Sequence, residues 1–315
     1  MLCVLVKTMA IGRLRLKPRG YDFPPYRPPS EANSLLLRVT RGCPWNRCTF
    51  CSMYKDMPFE RRPLEEILED IDAAQELYHD VTRTVFIGDS NSIIIKTEDF
   101  IKILQALYNA FPHIERVTSY ARAKTICKKP AEDLKKLREA GLNRLHVGLE
   151  TGDRELLSIT QKGATPEEMI TAGVKAKEAG FEYSLYVLLG IGGEQRWEQH
   201  ARGTAEVLNR IDPHFIRVRT VIPQPGCSMY EEIKARTFKK AEHETILKEQ
   251  RILIESLEVT STYLSDHLSN YIPVDGKLPE DKQAMLSVID ESLALLAEDD
   301  SVRKRFMRKD ALRSL

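Results

Sequence analysis

Short apolar runs recur along the chain at intervals close to thirty residues. Each run is rich in leucine or β-branched residues and is bounded by polar or turn-forming positions, which is the pattern of a buried strand. We predict strands at 34–40, 84–88, 115–119, 143–149, 182–189 and 214–221. Their starts lie 50, 31, 28, 39 and 32 residues apart. This interval is typical of a strand followed by a helix, and an inserted loop lengthens the first one.

Between these runs the spacing of apolar residues becomes helical. A helix is predicted at 63–77, where Pro63 stands in a position that a first helical turn tolerates. Another is predicted at 130–140, with Leu134 and Leu137 on its buried side. Alternating strands and helices indicate a parallel sheet with right-handed crossovers, either an open doubly wound sheet or an incomplete (β/α) barrel. In both, ligands bind at the carboxyl ends of the strands.

The alternation stops near residue 235. Residues 240–297 favour two or three amphipathic helices around an irregular stretch rich in turn residues. We therefore divide the chain into a basic, proline-containing segment at 1–33, a core at 34–235 and a helical extension at 236–315.

Charge is balanced over the whole chain, with 47 Lys and Arg against 46 Asp and Glu. Residues 1–30 and 301–315 each carry a net charge of +5, so the formal total of +1 leaves −9 on the body between them. The balance argues against a histone-like or wholly acidic chain, and solvated termini explain the basic ends better than nucleic-acid contact. No apolar stretch approaches 18 residues, and six cysteines are too few for a disulfide framework. We expect a cytoplasmic protein without membrane contact.

Half of the cysteines lie in the enlarged first loop, in the sequence RGCPWNRCTFC. Cys43, Cys48 and Cys51 form a C-x4-C-x2-C pattern just past a strand end, where three thiols can converge on one metal centre. A structural zinc site usually has four ligands, and no second C-x2-C pair is present. A plant-type [2Fe–2S] ferredoxin shares the spacing, but the next cysteine, Cys127, comes 76 residues later. An iron–sulfur cluster with three protein ligands and one open iron is the remaining possibility, and zinc stays open as a weaker one.

This loop and the segments after it resemble the radical S-adenosylmethionine (SAM) superfamily. An aromatic residue, Phe50, precedes the last cysteine, as in that superfamily. The segments VGLETGDRELLSITQKG (147–163), YVLLGIGGE (186–194) and VIPQPGCSMYEEI (221–233) resemble the ends of its fourth, fifth and sixth units. The resemblance covers about 34–235. The chain departs from the usual C-x3-C-x2-C spacing, and Gly88-Asp89-Ser90-Asn91 replaces the GGE-like motif of the second strand.

The resemblance implies an α/β fold, a partial (β/α)6 TIM-type barrel with an α-helical C-terminal extension. It implies an enzyme in which Cys43, Cys48 and Cys51 bind three irons of a [4Fe–4S] cluster while the fourth iron holds SAM. Reductive cleavage of SAM would give a 5′-deoxyadenosyl radical that abstracts hydrogen from an unknown substrate. The substrate would be a small molecule, a cofactor precursor or a nucleic acid, and a reductase such as flavodoxin or ferredoxin would donate the electron. The alternative is a non-catalytic iron–sulfur protein for electron transfer or a structural zinc-binding protein.

The resemblance also implies a set of SAM contacts. They are Phe50, Gly190 and Gly192 for the adenine, Gly88 and Asp89 for the methionyl amine, and Ser119, Arg122 and Glu150 for the ribose and charged groups. Phe50 could instead belong to the core, Asp89 could cap the next helix and Arg122 could pair with a surface acid. Glu150 is a charged residue that ends an apolar strand, which favours a role in the site.

Five further residues of chemical interest favour structural roles. We expect Cys227 to be a buried small side chain, and His267 and Asn270 to be capping or hydrogen-bonded residues. Trp45 and Tyr54 flank the cysteines and would shield a metal centre from solvent.

Overall fold

The apolar runs form the strands of one long sheet in the computed structural model, which describes residues 26–313. Within that range the strands are, in chain order, β1 (Leu35–Arg38), β2 (Thr40–Arg41), β3 (Glu60–Arg61), β4 (Thr84–Gly88), β5 (Arg116–Ala121), β6 (Leu142–Glu150), β7 (Glu182–Leu189), β8 (Phe215–Thr220), β9 (Thr262–Leu264) and β10 (Gly276–Lys277). The six predicted strands correspond to β1, β4, β5, β6, β7 and β8.

The helices occupy the intervals between the strands and follow them to the C-terminal end of the described chain. They are α1 (Leu64–Tyr78), α2 (Thr97–Ala110), α3 (Ala123–Lys128), α4 (Ala131–Glu139), α5 (Arg154–Ile159), α6 (Pro166–Glu178), α7 (Gly193–Ile211), α8 (Ser228–Lys234), α9 (His243–Glu255), α10 (Lys282–Glu298) and α11 (Asp300–Arg313). The predicted helices at 63–77 and 130–140 correspond to α1 and α4. Pro63 and Pro130 stand just before them, where a missing backbone N–H costs nothing.

The sheet has eight strands in the order β1-β4-β5-β6-β7-β8-β9-β10. Neighbours from β1 to β9 are parallel, and β10 runs antiparallel to β9. The predicted α/β class with a parallel sheet is therefore confirmed. The last two strands lie in the region for which only helices and irregular structure were expected. They have three and two residues, too few for a period to be visible in the sequence.

Side chains on one face of the sheet converge across non-adjacent strands. The rings of Phe86 on β4 and His146 on β6 are 6.2 Å apart, and those of Tyr120 on β5 and Tyr186 on β7 are 6.5 Å apart. Strands two places apart in a flat sheet are separated by about 9.5 Å. These contacts indicate that the sheet curves around this face, as in a partial barrel.

The opposite face carries the hydrophobic core. On each central strand the residues that alternate with the inward ones, such as Val85, Val117, Leu145, Leu185 and Ile216, are buried in one apolar cluster with the helices. This leaves the inside of the barrel to polar and aromatic side chains, while the layer between sheet and helices supplies the apolar burial that stabilises the fold.

A short 3-10 turn, Pro29–Glu31, lies at the amino ends of the strands. Its Glu31 carboxylate is fully buried, accepts a hydrogen bond of 2.7 Å from Ser34 and lies 3.4 Å from His146 Nε2. Arg116 Nη2 lies 3.5 Å from the same carboxylate. Burial opposes ionisation of Glu31, but hydrogen bonds from His146 and Ser34 and the charge of Arg116 lower its pKa overall. The carboxylate thus joins the turn to the barrel interior.

This buried pair predicts a loss of stability in acid. Burial lowers the pKa of His146 to about 4, below its ordinary 6.5, so the unfolded chain binds a proton at a higher pH than the folded one. The stabilisation is complete above pH 6.5 and is lost as the pH falls toward 4; the lowered pKa of Glu31 acts in the same direction. Between pH 7 and about pH 4.5, the unfolding free energy of the wild type should fall by about 2 kcal/mol more than that of His146→Gln. Urea unfolding at several pH values measures it, and equal pH slopes for the two proteins would refute it.

Candidate active site

The three cysteines of the C-x4-C-x2-C pattern lie in the loop between β2 and β3, at the carboxyl end of β1. All three are free thiols and partly buried. The Cys51 N–H donates to the Cys48 carbonyl at 3.3 Å, and the Asn46 N–H donates to Cys43 Sγ at 3.4 Å. Within residues 26–313, no three His, Cys, Asp or Glu side chains are grouped as ligands around one point.

The segment after β4 holds the start of this loop. Gly42 N–H donates to Asp89 Oδ2 at 3.1 Å, and Ser90 Oγ donates to the Gly42 carbonyl at 2.8 Å. Asp89 is 2% exposed, and its Oδ2 also lies 3.5 Å from Arg38 Nε. Gly42 has φ +77°, which favours glycine, and a Cβ there would lie 3.0 Å from the Pro58 carbonyl oxygen. Asp89 and Ser90 therefore fix the peptide directly before Cys43.

Two other elements hold the middle of the loop. Thr49 N–H donates to the Thr160 carbonyl at 3.0 Å, and Met229 N–H donates to the Thr49 carbonyl at 2.9 Å. Trp45 Nε1 donates to the Gln161 carbonyl at 2.7 Å. The loop is thus joined to the segment after α5 and to the start of α8, elements that follow β6 and β8.

The Trp45 ring lies among cationic side chains. The guanidinium carbons of Arg47 and Arg122 are 5.2 and 5.3 Å from its centre, within the range of a cation–π interaction. Gly163 lies against the same ring, and a Cβ at that position would come within 2.5 Å of Trp45 Cε2. The shielding role expected for Trp45 remains a prediction, but its packing on Arg122 is a feature of the structure.

Gly163 offers a test of how tightly this ring is packed. Gly163→Ala should destabilise the protein by about 1–3 kcal/mol more than Gly226→Ala. Both glycines have positive φ, +77° and +92°, so both variants bear a backbone cost, but a Cβ at Gly226 has nothing within 4 Å. Denaturant unfolding of the two variants measures the difference. Equal destabilisation would mean that Trp45 moves aside freely.

Charged side chains surround the cysteines. Lys162 Nζ is 2.7 Å from Glu150 Oε1 and 5.9 Å from the centre of the Phe50 ring. Arg122 Nη2 donates to the Lys162 carbonyl at 3.4 Å. The predicted residues Phe50, Arg122 and Glu150 are therefore brought together beside the cysteines, and Lys162 joins them.

The thiols and these charges influence one another. Burial raises the pKa of Cys48, and it raises the pKa of Cys51 to about 11. Burial by itself would lower the pKa of the Lys162 ammonium, but Glu150 and Cys48 together raise it. Burial lowers the pKa of Arg122, against the effect of Cys43 and Cys48. Cysteines bind a metal centre as thiolates, so binding must release these thiol protons. The charges of Lys162 and Arg122 would offset the negative charge that results.

An apolar cluster adjoins Phe50. It is formed by Leu156, Ile191, Val221, Cys227 and Met229. Cys227 is 2% exposed and packs as a small apolar side chain, in agreement with the plainer explanation given for it. The cluster comes from the segments that follow β6, β7 and β8, so Phe50 lies where the carboxyl ends of three strands meet.

Gly190 and Gly192 lie at the end of β7. Gly190 N–H donates to Glu249 Oε1 at 2.9 Å, and a Cβ at Gly190 would lie 2.6 Å from Ile246 Cδ1 on α9. A Cβ at Gly192 would lie 2.9 Å from the Arg196 backbone. Close packing against α9 and α7 thus requires small residues here, whatever the ligand. Their approach to an adenine stays a prediction, as does that of Gly88 and Asp89 to an amine.

Other residues singled out in the sequence lie in different surroundings. Ser119 is fully buried on the core face of β5, and its hydroxyl donates to the Ile87 and Tyr120 carbonyls. Cys127 Sγ on α3 donates to the Glu168 carbonyl of α6 at 3.1 Å. Asn270 is buried, accepts from Thr220 Oγ1 and donates to the Val218 carbonyl. Tyr54 is buried, with its ring 5.8 Å from that of Tyr26.

Sequence reasoning overlooked Lys162, in the loop after α5, and the inward-facing β8 arginines Arg217 and Arg219. Lys162 lies inside the segment 147–163 that was compared with the fourth unit, directly before Gly163. Arg217 and Arg219 alternate with the core residues Ile216 and Val218 along β8. This strict alternation of basic and apolar residues was the signal that could have placed the two arginines on the inward face.

Comparison with known proteins supplies the family. A profile of the Radical SAM superfamily matches residues 37–202, just over half of the chain. The heme chaperone HemW of Bacillus subtilis is 24% identical over 191 residues, which cover 58% of this chain and 49% of that protein. An uncharacterized methyltransferase of Pyrococcus horikoshii is 26% identical over 200 residues, covering 62% of this chain and 41% of that protein. The chain spans less than half the length of these two relatives.

Solved structures show the same fold. Methylornithine synthase (PylB) superposes with a TM-score of 0.51 at 18% identity, covering 81% of this chain and 68% of that one. The radical SAM methyltransferase TsrM from Kitasatospora setae, solved with cobalamin and a [4Fe–4S] cluster, superposes with a TM-score of 0.52 at 20% identity, covering 64% and 39%. The family profile begins in β1 and includes the cysteine loop. This chain belongs to the radical SAM superfamily, whose members use a [4Fe–4S] cluster and SAM.

Proposed function

We propose that this chain is an enzyme that reductively cleaves SAM and uses the resulting 5′-deoxyadenosyl radical to abstract hydrogen from a substrate. The observation that supports it most directly is the placement of three free thiols, Cys43, Cys48 and Cys51, beside Arg122 and Lys162 at the carboxyl ends of the strands. The profile match covers this loop.

The residues present fit a [4Fe–4S] cluster with an open iron. Three thiolates on one loop are the ligand set such a cluster requires, and because each binds a different iron they need not be grouped around one point. Lys162 and Arg122 lie close enough to offset its charge. When bound and reduced, the cluster supplies the electron that cleaves the sulfonium of SAM.

The protein's own contribution is orientation and exclusion of water. Asp89 and Ser90 fix the peptide before Cys43, and Trp45 covers the loop together with Arg122. Phe50 and its apolar cluster offer a surface for the adenine, while Glu150 and Lys162 offer a paired acid and base for polar groups of SAM. Gly88, Gly190 and Gly192 complete the proposed SAM contacts through their positions at the ends of β4 and β7. Ser119 is left out of this set, because its buried hydroxyl donates to the Ile87 and Tyr120 carbonyls on the core face of β5.

Electron paramagnetic resonance of the reduced, reconstituted protein tests the open iron. We expect the cluster signal to change when SAM is added, because SAM binds the iron that has no protein ligand. A signal that SAM leaves unchanged would favour a fully ligated electron-transfer cluster. Zinc at full occupancy, with no iron taken up on reconstitution, would favour a structural site.

The partners of the reaction are proposed on general grounds. Superfamily enzymes need an electron donor, and flavodoxin or ferredoxin would serve here.

The free thiols support a reducing, cytoplasmic compartment. Among residues 26–313, no helix has both the length and the apolar character needed to cross a bilayer.

We also propose that the chain is divided into segments 1–33, 34–235 and 236–315. The strands β9 and β10 extend the sheet beyond residue 235, so the third segment contributes to the same sheet as the second.

A further inference from the structure

Two arginines on β8 point into the barrel. Arg217 and Arg219 pair in register with Tyr186 and Leu188 of β7, and the guanidinium carbon of Arg219 is 5.0 Å from the centre of the Tyr186 ring. Arg217 is 8% exposed, and its charge, like that of Arg219, acts on the Tyr186 hydroxyl. These contacts place both cations on the curved, inward face of the sheet.

Other arginines of the sheet each have an acid. Arg38 lies 3.5 Å from Asp89 and Arg116 lies 3.5 Å from Glu31. Arg144 lies 2.7 Å from Glu182. Within the described chain, no carboxylate lies within ion-pair distance of Arg217 or Arg219.

Hydrogen-bonding groups beside these arginines also lack partners. Arg217 Nε and the Tyr186 hydroxyl are buried and form no hydrogen bond with the described residues, and Tyr186 is only 7% exposed. Leaving a buried charge or hydroxyl unpaired costs stability, so such groups in a cleft indicate a ligand. A guanidinium matches the two oxygens of a carboxylate or phosphate.

His267 adds a neutral donor next to Arg219. Its Nδ1 accepts a hydrogen bond of 3.1 Å from Ser269 N–H, which leaves the proton on Nε2. Ser269 Oγ in turn accepts a hydrogen bond of 3.1 Å from the N–H of Thr220, the residue after Arg219. Burial lowers the pKa of His267 and the charge of Arg219 lowers it further, which favours the neutral imidazole.

The arginines and the cysteines have different main neighbours, and Glu150 adjoins both. The largest charge effects on Cys48 come from Lys162, Glu150, Cys43 and Arg122. The charges of Arg217 and Arg219 act instead on Tyr186, Tyr120, His146 and His267, and Glu150 acts on the two tyrosines as well. SAM is therefore expected on the cysteine side of Glu150, with a second molecule beside it at the arginines.

We infer that Arg217, Arg219 and the Tyr186 hydroxyl bind an acid group, carboxylate or phosphate, of the substrate. The inference rests on the proposed function, because it assigns the anion to the molecule that the radical attacks. It narrows the substrate to an anion whose acid group enters the barrel.

Calorimetric titration of the reconstituted holoenzyme tests this site. The probes are succinate and inorganic phosphate, each added with and without saturating SAM. The variants are Arg217→Gln and Arg219→Gln, and the matched control is Arg202→Gln, an exposed arginine of α7 that pairs with Glu198. Thermal unfolding checks that each variant is folded. Arg219 is only half-buried, so Arg219→Gln should fold and can test the site even if Arg217→Gln does not fold.

We expect at least one probe to bind the wild type and Arg202→Gln equally, and to bind Arg219→Gln about tenfold more weakly or worse. The tighter probe identifies the acid as carboxylate or phosphate. Equal binding to Arg219→Gln, or no binding to the wild type, would overturn the inference. Displacement of the probe by SAM would also overturn it, because the arginines would then hold the SAM carboxylate. Probe binding needs no SAM cleavage, so a protein that makes no 5′-deoxyadenosine yet binds the probe through Arg219 would refute the proposed function alone.

Discussion

Replacing Cys48 by alanine should abolish cluster binding and reduce 5′-deoxyadenosine formation at least about 100-fold. Substitution of an outer-shell partner of a metal typically costs 10–100-fold, and the loss of a direct ligand costs more. The fold should survive, because Cys48 is only partly buried and the loop is held through the backbone of Gly42 and Thr49. Iron content and visible absorbance after anaerobic reconstitution measure the first effect, and chromatography of the products measures the second.

Cys127→Ala is the matched control for this substitution. It removes a thiol that donates to the Glu168 carbonyl, and it also removes the fourth cysteine that a ferredoxin-type cluster would use. We expect Cys127→Ala to keep its cluster and its activity. A Cys48→Ala protein with full iron content would contradict the ligand assignment, and loss of the cluster in Cys127→Ala would support four-cysteine ligation instead.

Lys162→Met should weaken cluster binding by about 10–100-fold and make the reduction potential of any retained cluster more negative. The ammonium is 2.7 Å from Glu150, and its pKa responds to Cys48, so it offsets negative charge on both sides. Without it, Glu150 remains as an unpaired, largely buried carboxylate, and the added electron meets a more negative site. Chelator challenge and redox titration measure the two effects.

Lys124→Met provides the comparison for Lys162. Lys124 pairs with Glu168 at a more exposed position between α3 and α6, where an ion pair contributes little. We expect Lys124→Met to match the wild type in both measurements. If Lys162→Met and Lys124→Met behaved alike, Lys162 would have no electrostatic role at the cluster.

The strands and the cysteine loop were predictable because each follows from a local pattern. β1, β4, β5, β6, β7 and β8 come from apolar runs long enough to show a period, and α1 and α4 begin after a proline at a tolerated position. β9 and β10 escaped prediction because a two- or three-residue strand exists only through its pairing; Tyr263 of β9 is opposite Ile216 of β8.

The site was predictable where the ligands lie in one motif, and less so where tertiary contacts decide. Asp89 matched a motif position, yet its carboxylate binds the Gly42 backbone 47 residues away, a contact that no local spacing reveals. Lys162 became a site residue through its contact with Glu150 across the end of β6. Ser119 points to the core because it lies two residues after Val117 on β5, and so on the same face of the strand. A shift of one residue would have turned it inward, and the sequence does not decide between the two.

The most direct test of the account is anaerobic assay of 5′-deoxyadenosine. The protein is reconstituted with iron and sulfide, reduced with dithionite and given SAM, beside a variant with alanine at Cys43, Cys48 and Cys51. The account predicts 5′-deoxyadenosine and methionine in equal amounts from the wild type and none from the variant. Equal yields from both proteins, or no product from a wild type that carries its full cluster and binds SAM, would contradict it.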